Sequence, residues 1–281
     1  MRGLIAFAAV ALIAAAPSPD FSLRGKIEQG GVAYGTAPQG TVSLTLGDET
    51  VPVAPDGRFM LGFDRNAPES LTLTAKTASG DVLTRTLEIG PHAWALQHVD
   101  VAKRPPVSNK EFARLRAPEI RQIVAARAEM SDSDGWKQHF AWPAHGRISG
   151  VFGSQRIYRG GEPGAYHSGV DIAGGAGAPV TAPADGVVVL AADKPFTLEG
   201  NLLMIDHGMG LNSAFLHLSK IVVKEGDHVK KGQLLGRIGS TGRATGPHLH
   251  WAMKWKGARI DPMSLTGPMT GQDLKKAAVE N

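Results

Sequence analysis

From Phe21 to Val101 the chain is a series of short runs in which apolar and polar residues alternate. Thr41-Val42-Ser43-Leu44-Thr45-Leu46, Ser70-Leu71-Thr72-Leu73-Thr74 and the stretch from Asp81 to Ile89 all keep a period of two. That is the periodicity of a strand with one face buried. Gly30-Gly31, Ala37-Pro38-Gln39-Gly40, Pro55-Asp56-Gly57 and Ser79-Gly80-Asp81 separate the runs with residues that favour turns. About seven short strands in this span predict an immunoglobulin-like β-sandwich over residues 20–101. His92 and His98, the two histidines of this part, read as surface or edge residues.

Residues 102–134 contain no glycine. Lys103-Arg104-Pro105-Pro106 reads as a stiff linker, and Ser108 with Glu111 has the spacing of a capping box. Pro118 suits the first turn of a second helix, which would place Ile120, Ile123 and Val124 on one face. The expectation is a short helical connector. Over residues 135–268 glycine returns, between apolar runs such as Gly186-Val187-Val188-Val189-Leu190 and Leu202-Leu203-Met204-Ile205, predicting a second β-rich domain. The polar tail over residues 269–281 predicts at most a weak helix near Leu274 to Val279. At the other end, Met1-Arg2 and the apolar run Leu4 to Ala16 read as a signal peptide over residues 1–19, because the run is shorter than the ~20 residues of a spanning helix. Ala16 suits the cleavage preference but Pro17 would follow the cut, so the site is open and an uncleaved N-terminal anchor is the alternative.

Composition narrows the chemistry. The 281 residues include no cysteine, which excludes disulfides, thiolate nucleophiles, cysteine-ligated zinc and a lipoprotein anchor. Any metal must be held by histidine and carboxylate. Eight of the ten histidines lie between Trp136 and Pro268. Residues 20–101 carry a net charge of −4 and residues 135–281 a net charge of +5. Such a split is compatible with docking of the two parts on each other or with an anionic polymer as partner, although a charge spread over such a length is usually just a solvated surface.

Three fragments concentrate the chemistry: Tyr166-His167-Ser168-Gly169-Val170-Asp171-Ile172, Ala214-Phe215-Leu216-His217-Leu218-Ser219 and Gly246-Pro247-His248-Leu249-His250-Trp251. On strands, His248 and His250 project from one face, as do His167 and Asp171, with Gly169 between them leaving room for an ion. Two histidines and a carboxylate make an open catalytic zinc set, with the fourth position left for water or a substrate carbonyl. Four histidines and one Asp exceed that set by two groups, which could serve as general base and electrostatic stabiliser.

These fragments, with Gly200-Asn201-Leu202-Leu203-Met204-Ile205-Asp206-His207-Gly208 and Gly239-Ser240-Thr241-Gly242-Arg243-Ala244-Thr245-Gly246, resemble in order the signatures of the lysostaphin/LytM-type zinc metallo-endopeptidases. The resemblance implies an antiparallel β-sheet core with one zinc ion in a groove, held by His167, Asp171 and His250. His217 and His248 are the implied catalytic histidines, without a decision as to which is the base. The implied activity is hydrolysis of peptide bonds in bacterial peptidoglycan crosslinks. With it go a periplasmic or extracellular, wall-associated location, peptidoglycan rather than nucleic acid as partner, and no stable membrane insertion once the signal is removed. Asn201 and Arg156 fall where such sequences carry polar groups near the groove, and Ser240 and Thr241 are further candidates for its lining. Gln155 to Ala165 reads as a mobile loop at its mouth, and His207 and His228 as structural or exposed. The alternatives are an inactive LytM-type regulator of another wall hydrolase, and a biotinyl/lipoyl-type carrier suggested by the turns around Asp185-Gly186 and Glu225-Gly226. The second would need its prosthetic lysine in a hairpin between these halves, and Lys254 lies far outside it.

Overall fold

The computed structural model describes residues 20–103 and 109–270. The expected signal peptide over residues 1–19, the Ser108 cap and the weak helix near Leu274 lie outside them. In the first part, β1 (Ser22–Gly25), β2 (Val32–Thr36), β3 (Thr41–Leu46), β4 (Glu49–Thr50), β5 (Arg58–Gly62), β6 (Ser70–Thr77) and β7 (Val82–Glu88) form two antiparallel sheets, β1-β2-β5 and β4-β3-β6-β7. Ala33, Phe59 and Leu61 of the first join Leu44, Leu46, Leu73, Ala75 and Leu87 of the second in one apolar core. A shift of register between Thr41 and Ser43 explains why Val42 is 68% exposed while Leu44 is buried: the bulge takes Val42 off the inward face.

After β8 (Leu96–His98) comes helix α1 (Lys110–Ala128). It is one helix, not two, and it runs through Pro118. Proline removes one backbone donor there, but the rest of the helix gains burial against the sheet below it. Asn109 caps it: Oδ1 accepts from the N–H groups of Glu111 (3.0 Å) and Phe112 (3.3 Å). The buried face also differs from the expected one. Glu119, Ile123 and Ala126 point inward, while Ile120 and Val124 are 46% and 61% exposed. Glu119 tolerates burial because its oxygens accept from Arg116 (2.9 Å) and from the N–H and hydroxyl of Thr197 (both 2.7 Å).

The remaining strands are β9 (Arg147–Gly150), β10 (Gln155–Tyr158), β11 (Glu162–Pro163), β12 (Val170–Ala173), β13 (Pro179–Thr181), β14 (Gly186–Ala191), β15 (Asn201–Asp206), β16 (Leu211–Leu218), β17 (Lys220–Ile221), β18 (His228–Val229), β19 (Leu234–Arg237), β20 (Leu249–Trp255) and β21 (Ala258–Ile260). An antiparallel sheet in the order β18-β14-β15-β16-β20-β12-β9, with β21 added to β20, is the frame of this part. Leu249, Trp251, Met253 and Trp255 bury one face of β20 almost completely, leaving His250, Ala252 and Lys254 on the other. Ile123 and Ala126 of α1 cover part of that second face, against Leu190, Leu202, Met204 and Ala214. The fold is mainly β, as the strand periodicity predicts.

The two β units touch directly. A Cβ on Gly62 of β5 would lie 2.7 Å from Trp255 Cβ and 3.0 Å from Ile260 Cγ2, so a side chain there would separate the sheets. Asp261 N–H donates to the Gly30 carbonyl (2.8 Å) and Arg65 Nε to that of Gly153 (3.0 Å). The interval from Gln155 to Ala165 is also not an irregular loop: β10 pairs antiparallel with β11 and parallel with β8 from the first part.

His207 is fully buried beneath the ring of Phe140. Its Nδ1–H donates to the Asp185 carbonyl (2.8 Å), so Nε2 accepts from the Ser213 hydroxyl (2.8 Å). Burial pushes its pKa down to about 4. Between about 6.5, where the unfolded chain takes up this proton, and about 4, the unfolded state binds more protons than the folded one. Stability is therefore lost as pH falls through that window, by something of the order of 3 kcal/mol from this group. Urea titrations should show this slope in the wild type, and His207→Gln, whose amide can keep both bonds, should flatten it.

Candidate active site

The site starts from strand register. Asp171 of β12 lies directly opposite His250 of β20 on one side and Gly150 of β9 on the other, and His250 lies opposite Leu216 of β16. His167, three residues before β12, reaches the same point. His167 Nε2, Asp171 Oδ1 and His250 Nδ1 form a triangle with sides of 3.1, 2.8 and 3.0 Å. Three such donors around a tetrahedral ion at 2.0–2.1 Å would stand roughly 3.3 Å apart, so a small outward relaxation makes room for a metal. His167 Nδ1–H donates to the Val151 carbonyl (3.1 Å), so when a metal takes the place of the Nε2 proton that Asp171 accepts here, the freed lone pair points into the triangle.

Glycine provides room here, but not the one expected. The missing side chain of Gly169 accommodates the backbone of Trp251 in the neighbouring strand and the Nε2 end of the His250 ring rather than an ion. At Gly150 a Cβ would lie 2.6 Å from Asp171 Oδ2 and 3.1 Å from His167 Cε1, so this position keeps the donors free to converge. A register shift in the β9–β12 pairing beside Asp171 marks the same spot. Nothing in the sequence distinguished Gly150 from the other glycines.

His217 reaches the site through a backbone irregularity. Between the pairs Asn201–Leu218 and Leu203–Phe215 the β16 strand holds one extra residue, and His217 has φ +64°. Without this bulge, alternation would turn its side chain to the same side as Phe215, into the core. Its ring instead lies 4.9 Å from that of His248 and 6.3 Å from that of His250. His217 Nδ1–H donates to the Thr241 carbonyl (2.8 Å) and His248 Nδ1–H to that of Gly246 (2.8 Å). Each therefore keeps an unprotonated Nε2, and that of His248 is 3.7 Å from Asp171 Oδ1.

Burial would raise the Asp171 carboxyl, but hydrogen bonds from His167 and His250 outweigh it and hold the group far below the usual carboxylate range. Burial lowers both His250 and His217, favouring the neutral rings that ligation and base catalysis need. For His167, burial is overcome by the hydrogen bond and charge of Asp171, and its pKa is raised.

An open groove of about 370 Å³ surrounds these residues, with Tyr166, Leu198, Glu199 and Arg243 in its walls. None of these four was singled out by spacing, although Arg243 lies within the stretch from Gly239 to His250 that carries the resemblance. Thr241 acts on the site from behind: its carbonyl orients His217, and its hydroxyl accepts from Asn201 N–H (2.9 Å) and donates to the Leu218 carbonyl (2.9 Å). Asn201 joins the same brace through Nδ2 to Leu218 (2.8 Å). Ser240 is exposed outside the groove lining, and Arg156 bonds to Gln97 (3.2 Å) on the β8–β10 ribbon. Helix α1 fixes one wall: Arg116 holds Glu199 through both guanidinium nitrogens (2.5 and 2.6 Å).

Fold and site together define an antiparallel β domain with an open His/Asp/His centre beside two further histidines. Residues 165–262 match Peptidase family M23, and this part of the chain is an M23 domain. Over 130 residues, 46% of this chain, it is 41% identical to the peptidoglycan DD-endopeptidase ShyA of Vibrio cholerae and covers 30% of that protein. Over 102 residues, 36% of this chain, it is 41% identical to the DD-carboxypeptidase/endopeptidase Mpg of Neisseria meningitidis and covers 23% of it. The chain thus spans less than a third of the length of either relative. A crystal structure of a candidate M23 peptidase from Pseudomonas aeruginosa superimposes with a TM-score of 0.66 at 29% identity, over 87% of this chain and 96% of that one. That likeness takes in both β units.

One divalent metal ion per chain is the expected stoichiometry from elemental analysis after reconstitution. His250→Ala should abolish binding while the far-UV circular dichroism stays close to that of the wild type.

Proposed function

We propose that this protein is a zinc-dependent endopeptidase that hydrolyses peptide bonds in bacterial peptidoglycan crosslinks. The observation that carries the reading is the convergence of His167, Asp171 and His250 within an open groove, next to two histidines that each turn an unprotonated nitrogen inward. The names of the peptidoglycan-acting relatives supply the substrate class. An exported location, periplasmic or extracellular and associated with the wall, follows from that substrate. Among the described residues no helix is long and apolar enough to cross a membrane.

Bound zinc would supply Lewis acidity, polarising the scissile carbonyl and lowering the pKa of water toward ~7. The protein's own groups handle the protons. One of His217 and His248, neutral at Nε2, accepts a proton from the attacking water, and the other, which takes a second proton at Nε2 from solvent before the step, donates a hydrogen bond to the oxyanion of the tetrahedral intermediate. The proton then passes to the leaving amine. Thr241 and Gly246 hold the two rings in the required tautomer through their carbonyls. The half-buried, ionised Asp171 keeps His167 and His250 aimed at the centre.

The N-terminal unit reads as part of the groove's support. Arg65 stands over the ring of Tyr166 (4.7 Å), which lines the groove, while Trp94 meets Phe152 edge-on (5.6 Å). Removing such support should cost stability without releasing activity, and this separates scaffolding from restraint.

Zinc-loaded protein incubated with purified sacculi should release muropeptides that mass spectrometry identifies as cut at a crosslink. His217→Ala should keep its zinc and lose at least about 10²-fold in rate. Wild-type release of muropeptides by that variant would exclude the assigned role. Arg65→Ala should lower the melting temperature with no gain in hydrolysis; a gain would favour restraint of the groove by the N-terminal unit.

A further inference from the structure

The sheet face that carries His250 also carries a group of cations without anionic partners. His250, Ala252 and Lys254 share the half-exposed face of β20, and Lys254 lies directly opposite Arg259 of β21. Two like charges in that relation destabilise a sheet unless something else compensates them. Arg127, in the last turn of α1, brings a third: with Arg259 it lines a cavity of about 30 Å³ that Asn212 and Ser168, the neighbour of His167, also border. Arg127 Nε is buried and has no hydrogen-bond partner. None of the ion pairs among the described residues includes Arg127, Lys254 or Arg259.

The surrounding carboxylates are engaged elsewhere. Glu199 is held by Arg116 and Asp206 accepts from Ser131 and Asn212; Asp64 is the one carboxylate that meets the group, accepting from the backbone N–H of Arg259 and favouring the Lys254 charge without forming an ion pair with either side chain. The C-terminal end of α1 offsets part of the Arg127 charge without satisfying its N–H. Arg259 ties the group to the catalytic groove, since its guanidinium lies 5.6 Å from the Tyr166 ring centroid and donates to the Tyr166 hydroxyl (3.3 Å). Burial first, and the neighbouring cations next, lower the pKa values of both Arg127 and Lys254.

We propose that Arg127, Lys254 and Arg259 form a subsite for a carboxylate of the peptide substrate, remote from the bond that is cut. The proposal rests on the peptidase reading above. From His250 to Lys254 is four residues of strand, roughly 13 Å at ~3.3 Å per residue. Helix α1 covers the middle of this face at Ala252, so an extended peptide with its scissile bond at the His/Asp/His centre would leave past Tyr166 and Ser168, beside the helix, and bring a group three or four residues away to Arg259 and the cations next to it. Guanidinium groups favour a planar carboxylate, which can accept two parallel hydrogen bonds. The helix outside the M23 domain thus supplies one of the recognition residues.

The test uses the full zinc-loaded chain and crosslinked peptides prepared in three forms: with free carboxylates, with the terminal carboxylate amidated, and with side-chain carboxylates amidated. The wild type should prefer the free form over one amidated form by about 10- to 100-fold in kcat/KM, mostly through KM, and that form identifies the carboxylate. In the Lys254→Gln/Arg259→Gln double variant, checked for an unchanged melting temperature and zinc content, the preference should collapse toward unity. Equal cleavage of all three forms by the wild type, or a preference that survives the double variant, overturns the subsite. If the wild type cuts none of them, the peptidase reading fails separately. Calorimetric titration with the free-carboxylate peptide then decides the subsite: binding weakened about tenfold or more by the double variant supports it, and unchanged binding or no binding to the wild type overturns it.

Discussion

The register of three neighbouring strands is the constraint on which the site depends. Gly150, Asp171 and His250 stand on one rung across β9, β12 and β20. Because side chains alternate, slipping β20 by one residue would exchange His250 for a core position and put Leu249 or Trp251 beside Asp171. That register is specified by the other face. Leu249, Trp251, Met253 and Trp255 can be buried together only when His250 points the other way. The apolar core and the candidate metal centre are thus two faces of one pairing pattern.

Around this rung, the remaining parts act through backbone geometry or through side chains that brace the groove walls. The bulge in β16 rotates His217 out of the core, and the Thr241 carbonyl then fixes its tautomer. The Gly239–His248 bridge sets His248 at the start of β20. Helix α1 and the Arg116–Glu199 pair hold the far wall. Arg65 and Trp94, from the first β unit, brace the near one. A domain that matches a family over 165–262 is completed by side chains well upstream of that segment.

The parts of the site legible in the sequence were those carried by local spacing. His-x-His in a strand and His-x-x-x-Asp before one put titratable groups within reach of each other whatever the wider fold, and these residues do converge. What remained hidden depended on neighbours distant in the chain. Gly150 matters only because β9 lies against β12, and Gly169 turned out to make room for a strand rather than an ion. Hydropathy places Ile120 and Val124 beside Ile123 on the buried face of α1, whereas Arg116 and Thr197 make Glu119 buriable and only Ile123 of the three is covered. Gln155 to Ala165 read as a loop since the partner that completes its ribbon, β8, lies some sixty residues earlier.

By itself, then, the sequence determined the mainly β character, the absence of cysteine chemistry, and the five side chains that gather at the candidate site, because strand alternation and composition are local properties. Tertiary structure decided which glycine opens the centre, how His217 escapes the core, what each wall of the groove is made of, and where the cations of α1, β20 and β21 gather. Those outcomes depend on register, on bulges and on contacts between segments far apart in the chain, and no local pattern encodes them.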